Sequence, residues 1–189
     1  MYLMWIAYAL GTSAGLMVIS QLVPFARSVG LAALGTTAIF VGALGNASGR
    51  IFSGWMSDTL GRLNVLRLMI AISAVAMPLL IASGANALFF FVLVFAIYWC
   101  YGTQLSVNAS TTSDFWGTKN AGLNYGLLFT AWGVAGIIGP RIAGTLFDRY
   151  QNYQVAFYWA AALAVVALIF EFLAKRPAVP EGAPVKAMA

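Results

Sequence analysis

Five stretches of this chain carry no charged residue: 1–26, 28–49, 68–113, 120–140 and 150–170. No other feature narrows the fold so far, because roughly 20 consecutive apolar residues let a helix cross the hydrocarbon layer of a bilayer. The third run, 46 residues long, has room for two crossings, with the sequence SGANA at 83–87 as the turn between them. Composition agrees: 62% of the 189 residues are hydrophobic and 8% charged, against about 25% charged in soluble domains. Backbone groups in lipid have no water to bond, which leaves helices or closed barrels. Continuous apolar runs, rather than alternating segments of about ten residues, select helices.

The expected fold is therefore all-α and integral to the membrane, with six transmembrane helices at 2–23, 34–56, 64–83, 87–109, 121–147 and 153–174. These form one domain over 1–174. The first span has no basic segment before it and exceeds a signal-peptide core, so it reads as a retained helix. Residues 175–189, KRPAVPEGAPVKAMA, are rich in Pro and Ala without an apolar period, and read as a disordered cytoplasmic tail.

The net charge of +5 would mark a nucleic-acid surface in a soluble protein, but its placement argues for a topology signal and no nucleic-acid partner. Arg62, Arg67, Lys119, Lys175, Arg176 and Lys186 fall after the second, fourth and sixth spans, while the opposite connections hold Arg27 and Arg149. Under the positive-inside rule this bias places both termini in the cytoplasm of a multi-pass inner-membrane protein. The chain has no histidine and one cysteine, Cys100. An internal disulfide is impossible, and haem, zinc and nucleophile–His catalysis lack their residues. No cofactor and no enzymatic activity are expected.

Arg50 is the exception to the apolar pattern. Its face of the second span reads Gly42, Gly45, Asn46, Gly49, Arg50 and Ser53, while Val41, Leu44, Ile51, Phe52 and Trp55 lie on the other side. A charge at bilayer depth costs at least about 2.5–3.5 kcal/mol, so something should offset it. Three readings fit: an anion-facing site, a structural bond to carbonyls of a neighbouring helix, and snorkelling toward the span end near Met56. In the fifth span, Gly126, Gly133, Gly136, Gly139 and Gly144 form an expected interhelix seam, and Pro140 is expected to bend the helix. Trp132 in the same span is either lipid-facing bulk or a cavity wall. Tyr98, Tyr101 and Gln104 of the fourth span either pack the interior or line a pocket. Arg141 reads as a snorkelling residue or a partner of Asp148, and Glu171 with Lys175 as a helix-end pair. No carboxylate is expected at mid-membrane.

After Arg50 the sequence GWMSDTLGR has the form G-x-x-x-D-x-x-G-R, carried by Gly54, Asp58, Gly61 and Arg62. It resembles the signature loop of the major facilitator superfamily. Here Gly54 is expected to allow close helix contact, Asp58 to cap or pair, Gly61 to turn the chain and Arg62 to supply inner-side charge. Together with AGLMVISQLVPFARSVG, GNASGRIFSGWMSDTLGR and NYGLLFTAWGVAGIIGP, the chain over residues 1–174 resembles the carboxyl-terminal six-helix half of the oxalate/formate antiporter family. Ala135, Gly139, Pro140, Ala143 and Gly144 are similar to that superfamily's small-residue antiporter motif.

The resemblance implies a 3+3 inverted repeat forming one half of the superfamily fold. It also implies transmembrane transport of a small carboxylate by alternating access, with either a second six-helix half or self-association. Arg50 inherits the carboxylate-binding role, with Trp132, Tyr98, Tyr101 and Gln104 shaping the pocket. Oxalate-exchanging members present a lysine in the penultimate helix, and the matching stretch LLFTAWGVAG puts Trp132 there. One deep cation suits a formate-like monocarboxylate better than oxalate. The competing reading is a non-transporting membrane scaffold or assembly module built on a transporter half.

Overall fold

A computed structural model describes residues 1–177. It contains six long helices: α1 (Tyr2–Ser28), α2 (Gly35–Leu60), α3 (Arg62–Ala82), α4 (Ala87–Trp116), α5 (Ala121–Tyr150) and α6 (Tyr153–Leu173). Five of them are long and apolar enough to cross a membrane; α2, with its Gly, Ser, Asn and Arg stripe, is not among them. Most of the tail expected at 175–189 lies outside the described residues.

Several helices run past their expected ends, α4 to Trp116 rather than 109 and α1 to Ser28 rather than 23. At the end of α4 the polar side chains do not break the helix. Thr111, Thr112 and Ser113 donate back to the carbonyls of Val107, Asn108 and Ala109, so the hydroxyls are satisfied within the helix itself. Asn86 caps α4 by accepting from Phe89 N–H at 3.0 Å, and Asn152 caps α6 by accepting from Gln154 N–H at 2.8 Å. Between α2 and α3, Gly61 has φ +88° and ψ 141°, a conformation that a Cβ would oppose. Pro24, Pro78 and Pro140 all lie inside continuous helices.

The helices pack as a ring. α2 lies on α4, α4 on α3, α3 on α6, α6 on α1 and α1 on α5, while the backbones of α2 and α5 stay apart and leave the ring open. The main core joins α1, α3, α4 and α6, with Phe25, Phe90 and Phe157 among its buried aromatic residues. The Phe25 and Phe157 rings meet edge-on at 4.9 Å, a favourable geometry for aromatic pairs.

The tightest seam is α2 against α4, not along α5. An added Cβ at Gly45 would lie 2.6 Å from the Phe95 carbonyl oxygen, and one at Gly42 would lie 2.7 Å from Tyr98 Cζ. Gly49 abuts the Trp99 carbonyl, and Gly102 of α4 abuts the Asn46 carbonyl in return. On α5 only part of the expected seam is found. Gly139 meets the Ser13 carbonyl of α1, flanked by buried Ala135 and Ala143, whereas Gly126, Gly133, Gly136 and Gly144 have no neighbour within 4 Å. Gly54 of α2 is equally unopposed, contrary to the close contact expected there. Helical periodicity identified the small-residue face in each case but not the direction in which that face looks.

Among the described residues, ion pairs form only at Arg62: the expected Glu171–Lys175 pair is not found, and of the two readings of Arg141 the pair with Asp148 is not the one seen. Glu171 is instead buried between α6 and its neighbours, and among the described residues its Oε1 has no hydrogen-bond partner. Arg67 of α3 reaches the same helix end, but donates to the backbone carbonyls of Glu171 and Ala174, both at 3.3 Å. Its guanidinium lies 4.9 Å from the Phe172 ring centroid. It thus serves the orphan carbonyls at the α6 terminus.

Candidate functional site

Because the backbones of α2 and α5 stay apart, a cleft of about 400 Å³ remains between them, with α4 behind. It is lined by Arg50 of α2, Leu105 and Ser106 of α4, and Tyr125, Phe129 and Trp132 of α5. The three α5 residues are spaced four and three apart and so share one helical face. Arg50 is the one charged residue of this lining.

The position of Arg50 follows from the packing of its own helix. Gly42, Gly45, Gly49 and Ser53 are buried, while Ile51, Phe52 and Trp55 are exposed. The small face is used up in bringing α2 onto α4, and Arg50 lies at the edge of that contact, where the cleft begins. Its Nε donates to Asn46 Oδ1 at 2.9 Å, one turn back along α2 and away from Met56. The snorkelling reading needed the opposite direction. Held through Nε, the guanidinium keeps its remaining N–H donors for a ligand, and its planar fork matches a carboxylate.

Trp132 is a cavity wall rather than lipid-facing bulk. Its ring stacks on Phe129 at 5.1 Å and 6°, and its Nε1 donates to the Tyr101 hydroxyl at 2.7 Å. Tyr101 itself is buried behind that wall. Tyr98 and Gln104 are not among the lining residues. The hydroxyl end of the Tyr98 ring covers Gly42. Gln104 is buried at the α1–α4 crossing, over Gly11, and accepts from Thr12 Oγ at 3.3 Å. Of the five residues expected to form the pocket, Arg50 and Trp132 line it, Tyr101 supports it, and Tyr98 and Gln104 pack the helices around it. Leu105 shares the helical face of Tyr98 and Tyr101 that the sequence offered as core or pocket, while Ser106, Tyr125 and Phe129 went unrecognised, although the 125, 129, 132 spacing on α5 was a readable signal for three walls of one cleft.

At the end of the bundle that carries the α2–α3 turn, Arg62 gathers three partners. It pairs with Asp58 Oδ1 at 2.6 Å and Asp114 Oδ2 at 2.9 Å, and donates to Ser57 Oγ. The G-x-x-x-D-x-x-G-R stretch therefore ties the end of α2 and the start of α3 to the end of α4. Both carboxylates are substantially exposed, so this cluster contributes little to stability but fixes the relation of three helix ends.

Comparison with known proteins agrees with this architecture. The chain is 29% identical over 190 residues to the oxalate:formate antiporter of Oxalobacter formigenes, covering 99% of this chain and 44% of that protein. It is 32% identical over 100 residues to the uncharacterized MFS-type transporter YhjX of Escherichia coli K12, covering 53% of this chain and 25% of the relative. Mouse monocarboxylate transporter 14 is 36% identical over 59 residues, 31% of this chain and 12% of that protein. The chain thus spans less than half the length of each of these relatives. The family model of the Major Facilitator Superfamily matches residues 2–188, nearly the whole chain, and with its apolar helices this multi-pass membrane protein belongs to that superfamily of transporters.

Proposed function

We propose that this chain is one six-helix half of a transporter for a small monocarboxylate, working by alternating access in the inner membrane with both termini in the cytoplasm. The observation that carries the reading is Arg50, fixed by Asn46 at the mouth of a 400 Å³ cleft whose other walls are uncharged. A guanidinium in such surroundings acts through a lower effective dielectric than water, so it attracts an anion strongly. One cation matches one carboxylate, and the aromatic walls suit a short apolar substituent. A dianion such as oxalate would leave its second carboxylate facing Phe129 and Trp132. The names of the relatives, an oxalate:formate antiporter and a monocarboxylate transporter, point to the same substrate class.

The packing pattern supports an inverted 3+3 repeat. Exchanging α1 with α4, α2 with α5 and α3 with α6 carries the α1–α5 contact onto α4–α2, and α1–α6 onto α4–α3. The sequence echoes it faintly: Arg50-Ile51 precedes Gly54 and Asp58 on α2, and Arg141-Ile142 precedes Gly144 and Asp148 on α5. The unopposed glycines Gly133 and Gly136 leave a small-residue surface on α5, next to the cleft. A second six-helix unit, either a separate amino-terminal half or another copy, would close the cleft from that side.

Uptake of radiolabelled formate and oxalate into vesicles tests this, with the chain reconstituted alone and with an amino-terminal half supplied as a separate polypeptide. The expected result is saturable formate uptake in at least one arrangement, with oxalate the poorer substrate. Absence of saturable uptake of either anion in both arrangements would overturn the reading.

A further inference from the structure

Tyr8 of α1 is 2% exposed, and among the described residues its hydroxyl makes no hydrogen bond of good geometry. Buried hydroxyls are nearly always paired, so the exception asks where a partner is to be found. Its surroundings indicate where. Tyr8 packs in one apolar cluster with Leu105, Phe129 and Trp132, three of the cleft-lining residues. Its hydroxyl lies beside that of a fourth, Tyr125, which lines the same cleft as Arg50.

The hydroxyl of Tyr125 is only loosely committed. It donates to the Leu105 carbonyl at 3.3 Å, beyond the usual range of about 2.5–3.0 Å for such a bond. That carbonyl lies inside α4, where the helix already supplies an N–H donor, so releasing Tyr125 leaves nothing unpaired. Among the other walls only Ser106 has a comparable donor, its Oγ holding the Thr103 carbonyl at 3.3 Å, whereas Trp132 Nε1 is bound to Tyr101 at 2.7 Å and Leu105 and Phe129 have no polar side chain. Tyr125 differs from Ser106 in having the Tyr8 hydroxyl beside its own. A carboxylate offers about four lone-pair sites, more than one edge of a guanidinium satisfies.

We propose that Tyr125 is the second hydrogen-bond donor to the carboxylate anchored by Arg50, and that Tyr8, buried behind it, is a positioning residue whose hydroxyl donates to the Tyr125 oxygen. The inference rests on the carboxylate reading of the cleft. When Tyr125 turns its O–H from Leu105 to the anion, the lone pairs on its oxygen, which accept whether or not the hydroxyl donates, turn with it, and the neighbouring Tyr8 hydroxyl donates to one of them. The two bonds strengthen each other, as hydrogen bonds in a chain do. The anion then links α5 to α2, whose backbones otherwise stay apart.

Equilibrium binding of radiolabelled formate to the full chain in phosphatidylethanolamine–phosphatidylglycerol vesicles tests this. Phenylalanine keeps the ring at both positions, and circular dichroism checks that each variant is folded. Tyr125→Phe is expected to weaken binding about tenfold, as for loss of a hydrogen bond to a charged group. Tyr8→Phe is expected to weaken it about threefold in the wild type but not at all in the Tyr125→Phe background, the non-additivity of residues acting in series. Equal effects of Tyr8→Phe in both backgrounds would mean that Tyr8 only packs, and would overturn its role. Unchanged binding in Tyr125→Phe, with binding lost in Arg50→Ala, would overturn the inference and leave the anchor standing. No saturable formate binding by the wild type would remove both.

Discussion

Arg50 Nε donates a 2.9 Å hydrogen bond to Asn46 Oδ1 one turn earlier on α2, and Asn46 is in turn confined by α4. A Cβ placed on Gly102 would lie 2.9 Å from that same Oδ1. The close approach of two helices thus fixes the amide that aims the guanidinium. Removing Asn46 should loosen Arg50 without removing its charge. Asn46→Ala is predicted to raise the KM for formate uptake about fivefold with little change in kcat, as for a lost hydrogen bond to a charged group. Asn46→Asp should be worse than Ala, because a carboxylate there competes with the substrate for Arg50. The KM ordering of wild type, Ala and Asp checks this.

The small-residue surfaces of α2 and α5 should respond in opposite ways. Gly45→Leu forces atoms against the Phe95 carbonyl, and overpacking of this kind typically costs about 1–3 kcal/mol or more. Its thermal unfolding midpoint in detergent should fall by several degrees. A Cβ added at Gly133 meets no described atom within 4 Å, so Gly133→Leu should leave the midpoint of the isolated chain unchanged. If the second six-helix unit packs there, the same substitution should abolish association measured by crosslinking.

Arg62 should matter to transport more than to stability. Its partners Asp58 and Asp114 are exposed, and pairs of this kind contribute about 0–1 kcal/mol. Arg62→Ala should therefore shift the unfolding midpoint little while changing the uptake rate, because the linked ends of α2, α3 and α4 lose their common partner. The exchange Arg62→Asp with Asp114→Arg should recover part of that rate, and uptake in the double variant is the measurement.

Glu171 and Arg67 should separate in a thermal assay. The Glu171 carboxyl is buried, its Oε1 unpaired among the described residues, and burying an unpaired charge is costly. Glu171→Gln is predicted to leave the unfolding midpoint unchanged or raised. Arg67→Ala removes the donors to the Glu171 and Ala174 carbonyls and should lower it, by about 1–2 kcal/mol in stability for the two bonds.

What the sequence revealed depended on how local the physics was. Six helices were legible because charge-free runs answer directly to the hydrocarbon layer. Their ends were not, because Thr111, Thr112 and Ser113 look like loop residues until they bond back to their own helix. Arg50 was conspicuous as a charge among apolar residues, and the buried small face of α2 followed from helical spacing. Its companions in the cleft come from Leu105 through Trp132, more than fifty residues away. The rotation and register of α4 and α5 against α2 decided that Phe129 faces the cleft while Tyr98 covers Gly42. The same limit explains α5: Gly139 meets α1 while Gly133 and Gly136 look outward, although all three belong to one glycine-rich run.

The most direct measurement of the central claim is saturable binding of radiolabelled formate to the reconstituted chain carrying Arg50→Ala or Arg50→Lys. An anion anchored by the guanidinium predicts loss of binding in Arg50→Ala and weakened but detectable binding in Arg50→Lys, which keeps the charge and loses the planar fork. Wild-type affinity in both variants would contradict the account.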